Sequence, residues 1–236
     1  MDLYSFYGGY MLSISATNEL QNTQPGALIG LLELSNITIL SVSPQLNEQK
    51  RETEKRLRHR YTGFTRQDFL ALPVISAYDR YYRKFNKTYH VLQQVESIAL
   101  KGKNLPDVSP LVDANFIAEV ETLVLTAGHD VAKLHGVVSM DVGRAGDQLI
   151  QMNGTLKSIL VGDMLMRDSH GVSCSIIYGQ DNVSPITLET THVLYVAYAP
   201  AGVPAEQVSA HLQRIKENVL LFSANTVVEQ QQLLFI

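Results

Sequence analysis

One cysteine, Cys174, stands among 236 residues. That excludes an internal disulfide and any four-cysteine zinc site, and suits a reducing cytosol. Charge is also sparse, at 18% of the chain against 45% hydrophobic residues. So much apolar surface excludes intrinsic disorder. No uninterrupted apolar run reaches the ~18–20 residues of a membrane span. The best stretch, Gly26 to Leu40, is broken by Glu33 and Asn36. Lys and Arg are missing before Lys50, so the basic start of a secretory signal is not there. These absences lead to the expectation of a soluble, cytoplasmic protein with one large domain, or a domain with a sizeable N-terminal extension.

Chemistry-bearing motifs are scarce too. Gly143-Arg144-Ala145-Gly146 lacks the spacing and the Lys-Ser/Thr of a phosphate loop. Gly171-Val172-Ser173-Cys174-Ser175 begins like a nucleophile elbow, but Ser175 occupies the place of its second glycine. No two-His helical pair encloses a Glu. His129 and His135 flank a turn, and no metal or cofactor is expected from them. Cys174 sits in an apolar strand pattern and reads as a small core residue.

What the chain does have is a lopsided charge distribution. Between Lys50 and Lys103 there are thirteen Lys and Arg against five Asp and Glu, with six against eighteen in the remainder. Helical spacing places Arg51, Lys55 and Arg58 on one stripe, from which Glu52 and Glu54 should point away. A second stripe is formed by Arg80, Arg83, Lys84 and Lys87. Both are candidate RNA-binding surfaces, because contacts to phosphate supply most non-specific affinity for nucleic acid. The bland reading is a pair of solvated helical faces. Tyr78, Tyr81, Tyr82 and Phe85, offset from the second stripe, could stack single-stranded bases; packing into the core is the preferred reading.

Periodicity predicts helices over 45–60, 68–86 and 89–100, after a polar, Tyr-rich start (Tyr4, Tyr7, Tyr10) and one or two buried strands over 26–40 with a turn at Ser35-Asn36. Ser109-Pro110 should cap a further helix running to about Gly128. The period then shifts towards two, giving strands over 137–142, 148–152, 156–160, 164–167, 172–178 and 192–198. Asn153-Gly154 marks a hairpin, and Pro204 opens a last amphipathic helix carrying Val208, Leu212, Ile215 and Val219. Helices first, strands next and one helix last favour α+β.

From Leu111 onward the order of short motifs resembles a known family. These are Leu111-Val112-Asp113-Ala114-Asn115, Asp130-Val131-Ala132-Lys133-Leu134, Gly162 to Asp168, Tyr178-Gly179 and Thr190-Thr191-His192-Val193-Leu194. They resemble the tRNA-binding and editing module of the phenylalanyl-tRNA synthetase beta chain, over residues 109–199 and more loosely over 26–220. The resemblance implies helices packed on a mixed, barrel-like β-structure, flanked by an extension at 1–25 and a tail at 221–236. It implies a tRNA-linked binding module or weak trans-acting editor of mischarged tRNA, with tRNA or aminoacyl-tRNA as partner and no aminoacylation activity. The family's Thr-Asn pair falls on Ala114 and Asn115, its pocket glycine near Gly179, its His on Ala127 and its tyrosine-sensing Glu on Val196. Two polar editing groups are thus replaced, which removes the hydrogen bond that would separate tyrosine from phenylalanine. If an enzyme, it would be an aminoacyl-ester hydrolase. Asn115, His129 and Gly179 are the candidate ligand residues. The alternative is an amino-acid-sized small-molecule binding protein or enzyme with no RNA partner.

Overall fold

The computed structural model describes residues 12–39 and 43–236. Tyr4, Tyr7 and Tyr10 therefore lie outside the described residues, as does Leu40. The chain opens with β1 (Ile14–Ala16), α1 (Asn18–Thr23) and β2 (Leu28–Ser35). A helical block follows, made of α2 (Pro44–Arg60), α3 (Arg66–Ala71), α4 (Pro73–Arg83), α5 (His90–Ala99) and α6 (Pro110–Thr122). Then come β3 (Thr126–Asp130), β4 (Val138–Val142), β5 (Gln148–Ile150), β6 (Leu156–Ser158), β7 (Met164–Asp168), β8 (Gly171–Ser175), β9 (Gly179–Gln180) and β10 (Val193–Ala199). Helix α7 (Ala205–Leu220) and β11 (Val227–Phe235) complete it. The fold is a mixture of helices and several sheets.

The strands form a five-stranded sheet in the order β1-β4-β7-β8-β9, a four-stranded sheet in the order β11-β2-β10-β3 and the β5-β6 hairpin. Only β1 with β4 is parallel among the described pairs. The barrel-like arrangement expected from the resemblance is corrected here. Among the described residues each sheet stays open, ending at β1 and β9 or at β11 and β3, and no closed barrel forms.

Local chemistry accounts for most element boundaries. Ser43 caps α2 by accepting from the Leu46 amide, with Pro44 in the first turn. The helix expected over 68–86 is instead two. Thr65 and Asp68 make a reciprocal capping box for α3, and Pro73 starts α4 after an extended Leu72. Ser109 stands at the cap position of α6, yet its hydroxyl makes no capping bond. Asp113 reaches back to the Val108 amide at 3.1 Å instead. Helix α6 also stops before Gly128. Leu123 takes a left-handed conformation, φ 66°, and the chain turns into β3. The Asn153-Gly154 hairpin forms as predicted, with Gly154 at φ 80° joining β5 to β6. The segment after Leu220 supplies β11, which pairs antiparallel with β2.

Packing explains one glycine in particular. Gly30 in β2 sits under α7, where an added Cβ would meet Val208 Cγ1 at 2.7 Å and Leu212 Cδ1 at 3.2 Å. The missing side chain lets the amphipathic helix lie directly on the four-stranded sheet.

The tyrosine stripe of α4 packs inward and joins the two large sheets. Tyr78 Oη donates to the Tyr198 carbonyl at 2.6 Å and accepts from the Leu125 amide at 2.9 Å. Tyr81 Oη donates to Asp163 Oδ1 at 2.7 Å and accepts from the Met164 amide at 2.6 Å. Tyr82 Oη donates to the Ile176 carbonyl at 2.7 Å. Tyr89, stacked on Tyr78 with centroids 4.2 Å apart, donates to the Leu123 carbonyl at 2.8 Å. All four rings are buried, so none offers a stacking face to nucleic acid.

Tyr78→Phe keeps the ring and strands two buried backbone groups. Urea denaturation should show a loss of about 1–3 kcal/mol, the cost of leaving buried polar groups unpaired. A variant as stable as wild type would contradict the bridging role of this hydroxyl.

Candidate functional site

A cavity of about 500 Å³ opens between α6, the edge strand β3 and the β8–β9 corner. Helical spacing puts Val112, Asn115, Phe116 and Glu119 of α6 on its wall. Strand β3 contributes Thr126, Ala127 and Gly128, β10 contributes Tyr195 and Tyr198, and Ile186 closes one side. Gly128 is required by this close approach. An added Cβ would lie 2.6 Å from Ile186 Cδ1 and 3.0 Å from Tyr195 Cε1. The rim is apolar and open to solvent, with Val108, Met152 and Leu188 each more than half exposed.

The polar groups on these walls are few and incompletely bonded. Asn115 donates weakly to the Thr126 carbonyl, at 3.4 Å, and its Oδ1 has no partner. Ser109 Oγ and Gln94 Oε1, also on the lining, are buried and unpartnered. Tyr198 Oη likewise has no hydrogen-bond partner. Glu119 is fully enclosed, and burial pushes its carboxyl up to about 8. A hydrogen bond from the Thr126 amide, at 2.8 Å, and the nearby Asn115 side-chain amide offset only part of that desolvation. Thr126 is itself held by His211 of α7, which burial pushes down to about 3 and which therefore stays neutral.

Of the three candidate ligand residues, the two taken from the resemblance, Asn115 and Gly179, line this cavity. The third, His129, does not. Strand alternation turns its ring away from Gly128, into a buried site where Nδ1 meets Ser184 Oγ at 2.7 Å and Nε2 has no partner. Burial pushes it down to about 3. Ser184 in turn donates to Asp181 at 2.6 Å. The serine thus lies between histidine and carboxylate, the wrong order for an activated nucleophile. Ala127 reaches the cavity, whereas Val196, directly paired with it, is buried in the sheet away from the lining. Cys174 is a core residue that also touches the cavity, and burial pushes its thiol up to about 12.

Glu119 was not singled out from the sequence. Its signal was available: one acid on a helix face otherwise carrying Val112, Asn115 and Phe116.

The basic stripes are already engaged within the protein. Arg51 bonds Glu54 at 2.6 Å and Asp107 at 2.9 Å. Lys55 pairs with Glu52 at 2.6 Å. Arg58 donates to Asn104 at 2.7 Å and lies 3.7 Å from Glu54. Glu54, expected to point away from the stripe, is buried at its centre and also accepts from the Leu105 amide. Its three- and four-residue spacing to these arginines brings the groups together. Arg80 donates to Ser76 at 2.9 Å, and Arg83 pairs with Asp79 at 2.6 Å. Lys84 and Lys87 lie over the Tyr81 and Tyr178 rings, 5.9 and 5.6 Å from the centroids. Lys50 is fully buried between Asp107, at 2.7 Å, and Asp113, at 2.6 Å.

Among the described residues no group of three or more His, Cys, Asp or Glu could hold a metal ion. No described helix is long and apolar enough to cross a membrane. Neither family profiles nor curated protein sequences match the chain. Among solved structures, an N-terminal fragment of the phenylalanyl-tRNA synthetase beta-subunit from Pyrococcus horikoshii aligns with 90% of this chain at 10% identity and a TM-score of 0.45. The chain spans about half of that fragment, 49% of its length.

The raised Glu119 value has a consequence for stability. Below pH 4.5, the ordinary value, the carboxyl is protonated in folded and unfolded chains alike, and its stabilising contribution is fully present. As pH rises from 4.5 to about 8, the unfolded chain releases the proton while the folded chain retains it. Stability is lost across that window, at up to about 1.4 kcal/mol per pH unit. Glu119→Gln, which keeps an acceptor for the Thr126 amide, should lack this loss. Denaturation midpoints of the two proteins should therefore diverge between pH 5 and 8, with wild type falling faster. Parallel curves would contradict a protonated Glu119.

Proposed function

We propose that this chain is a binding protein for an amino-acid-sized small molecule, held in the cavity between α6, β3 and β9. The observation that carries the reading is the set of buried, unpartnered polar atoms on one largely apolar cavity: Asn115 Oδ1, Ser109 Oγ and Gln94 Oε1. Buried polar groups in folded proteins are nearly always hydrogen-bonded. A ligand that supplies their partners would account for three unpaired groups on residues of one lining, and apolar walls with a few polar groups are typical of small-molecule sites.

Binding is favoured over hydrolysis by the state of the nearby nucleophiles. The Cys174 thiol is held protonated, and the Ser175 hydroxyl donates to Asp163 while accepting from the Tyr178 amide at 3.1 Å. The tRNA-linked reading comes from the motif resemblance over residues 109–199 and is supported by the surplus of basic residues at 50–103. Its weight is reduced by the carboxylates, carbonyls, rings and, for Arg80, the Ser76 hydroxyl that already engage Arg51, Lys55, Arg58, Arg80, Arg83, Lys84 and Lys87.

The two readings separate experimentally. A ligand of this cavity at a hundredfold excess over its Kd should stabilise the protein by about 2.7 kcal/mol. Val112→Trp, which projects into the cavity from α6, should abolish that gain while the variant still folds. Filter binding with bulk tRNA should show no retention at low salt. Retention that falls steeply with salt, and that is lost when Arg51, Lys55, Arg80 and Arg83 are reversed to Glu, would establish the RNA reading instead.

A further inference from the structure

We infer that the ligand is an organic cation, an ammonium group on an apolar body with no free carboxylate. The inference rests on the preceding reading of the cavity as a ligand site and specifies its chemistry.

The argument begins with the charges that the cavity has and lacks. Glu119 is an acid with no cation among its partners in the described residues. Asp113 is paired with Lys50, Glu54 with Arg51, and Asp141 with Arg144 and Arg167. Asp130, Asp163 and Asp181 also lack a cation, but they lie outside the cavity lining and each accepts from at least two donors. No Lys or Arg lines the cavity. The titratable groups around Glu119 are Tyr78 and Tyr82 of α4, Tyr89 before α5, His90 of α5, Cys174 of β8, Tyr195 and Tyr198 of β10, and His211 of α7 behind Thr126. None supplies positive charge at neutral pH, since burial also holds His90 below its usual range and His211 at about 3. An enclosed carboxyl without a counter-ion is held neutral at considerable cost, and an entering cation relieves it.

Hydrogen-bond polarity agrees with charge. The unpartnered amide oxygens of Asn115 and Gln94 are acceptors, the unpartnered Ser109 hydroxyl can accept as well as donate, and the Glu119 carboxyl becomes a further acceptor when it ionises. An ammonium offers three N–H donors and no acceptor. Phe116, Tyr195 and Tyr198 provide rings that suit both an apolar body and a nearby cation. A zwitterionic amino acid would place its carboxylate in a cavity with no basic residue and with an acid already present. Two sources share the remaining chemistry: a free amine, or an amino acid whose carboxyl is blocked as an amide or ester.

Calorimetric titration of the full chain with phenethylamine, phenylalanine amide, phenylalanine and phenethyl alcohol tests this. Phenethylamine, the amide or both should bind roughly ten- to a hundredfold more tightly than the alcohol, the worth of a charge-assisted hydrogen bond. Which of the two binds better identifies the source. At pH 7 their binding should release about one proton, read from buffers of different ionisation enthalpy, as Glu119 ionises against the cation. Glu119→Gln should bring amine and alcohol to similar affinity and remove the proton release. Equal binding of alcohol and amine by wild type, tight binding of phenylalanine, or an amine affinity unchanged in Glu119→Gln would overturn the cation while leaving the cavity a ligand site. Failure of every probe, neutral ones included, would overturn the ligand-site reading and the cation with it.

Discussion

The four tyrosine hydroxyls of α4 and its junction with α5 are the contacts on which the architecture turns. The five-stranded and four-stranded sheets are separate ladders, and they are joined through backbone groups that no strand partner satisfies. Tyr78 takes two such groups at Tyr198 and Leu125, Tyr81 takes the Met164 amide, and Tyr82 takes the Ile176 carbonyl. A buried hydroxyl in this role does more than its ring area, because each unsatisfied backbone group in the interior carries its own desolvation cost. The same contacts fix Leu125, Ile176 and Tyr198, three walls of the cavity. The site is thus set by the junction between sheets rather than by a mobile loop.

Against that frame, the treatment of charge is selective. Acids drawn into the interior elsewhere are met by cations, as with Asp113 and Lys50, or by several donors, as with Asp163, Tyr81 and Ser175. Asp163 still sits at about 6, raised by burial. Glu119 is pushed further because its only compensation is one backbone amide and one side-chain amide. A buried ionisable group without a counter-ion weakens the fold, and such groups gather where a ligand or substrate completes them. The cavity therefore has a physical use for positive charge that the protein itself does not fill.

Legibility in the sequence followed the range of the determining forces. Asn153-Gly154 could be read because backbone conformation at two residues decides the turn. The inward face of Tyr78, Tyr81 and Tyr82 could be read because helical spacing decides it. The end of α6 could not: Gly128 looked like a helix stop, but its task is to let Tyr195 and Ile186 close over β3. The break at Pro73 was not read: the aromatic stripe begins only at Tyr78, and the extended Leu72 before Pro73 separates α3 from α4. For the site, family resemblance led to Asn115 and Gly179, which the fold does bring to one cavity. The family's His falls on Ala127; His129, a candidate only through its closeness to that position, is turned behind the wall by strand alternation. The basic stripes were counted correctly, but the acids three or four residues away, Glu52, Glu54 and Asp79, were not read as their partners, and the partners of Arg51 and Arg58 at 102–107 appear only once α2 packs on that segment.

The protonation state of one carboxyl tests the account most directly. Carbon-13 NMR of the Glu119 side-chain carboxyl, with Glu119→Gln for assignment, reports it without reference to stability. The account predicts a protonated carboxyl at pH 6.5 in the free protein, becoming ionised when a saturating primary amine is added. A carboxylate already ionised at pH 6.5 in the free protein, or a signal that saturating amine leaves protonated, would contradict it.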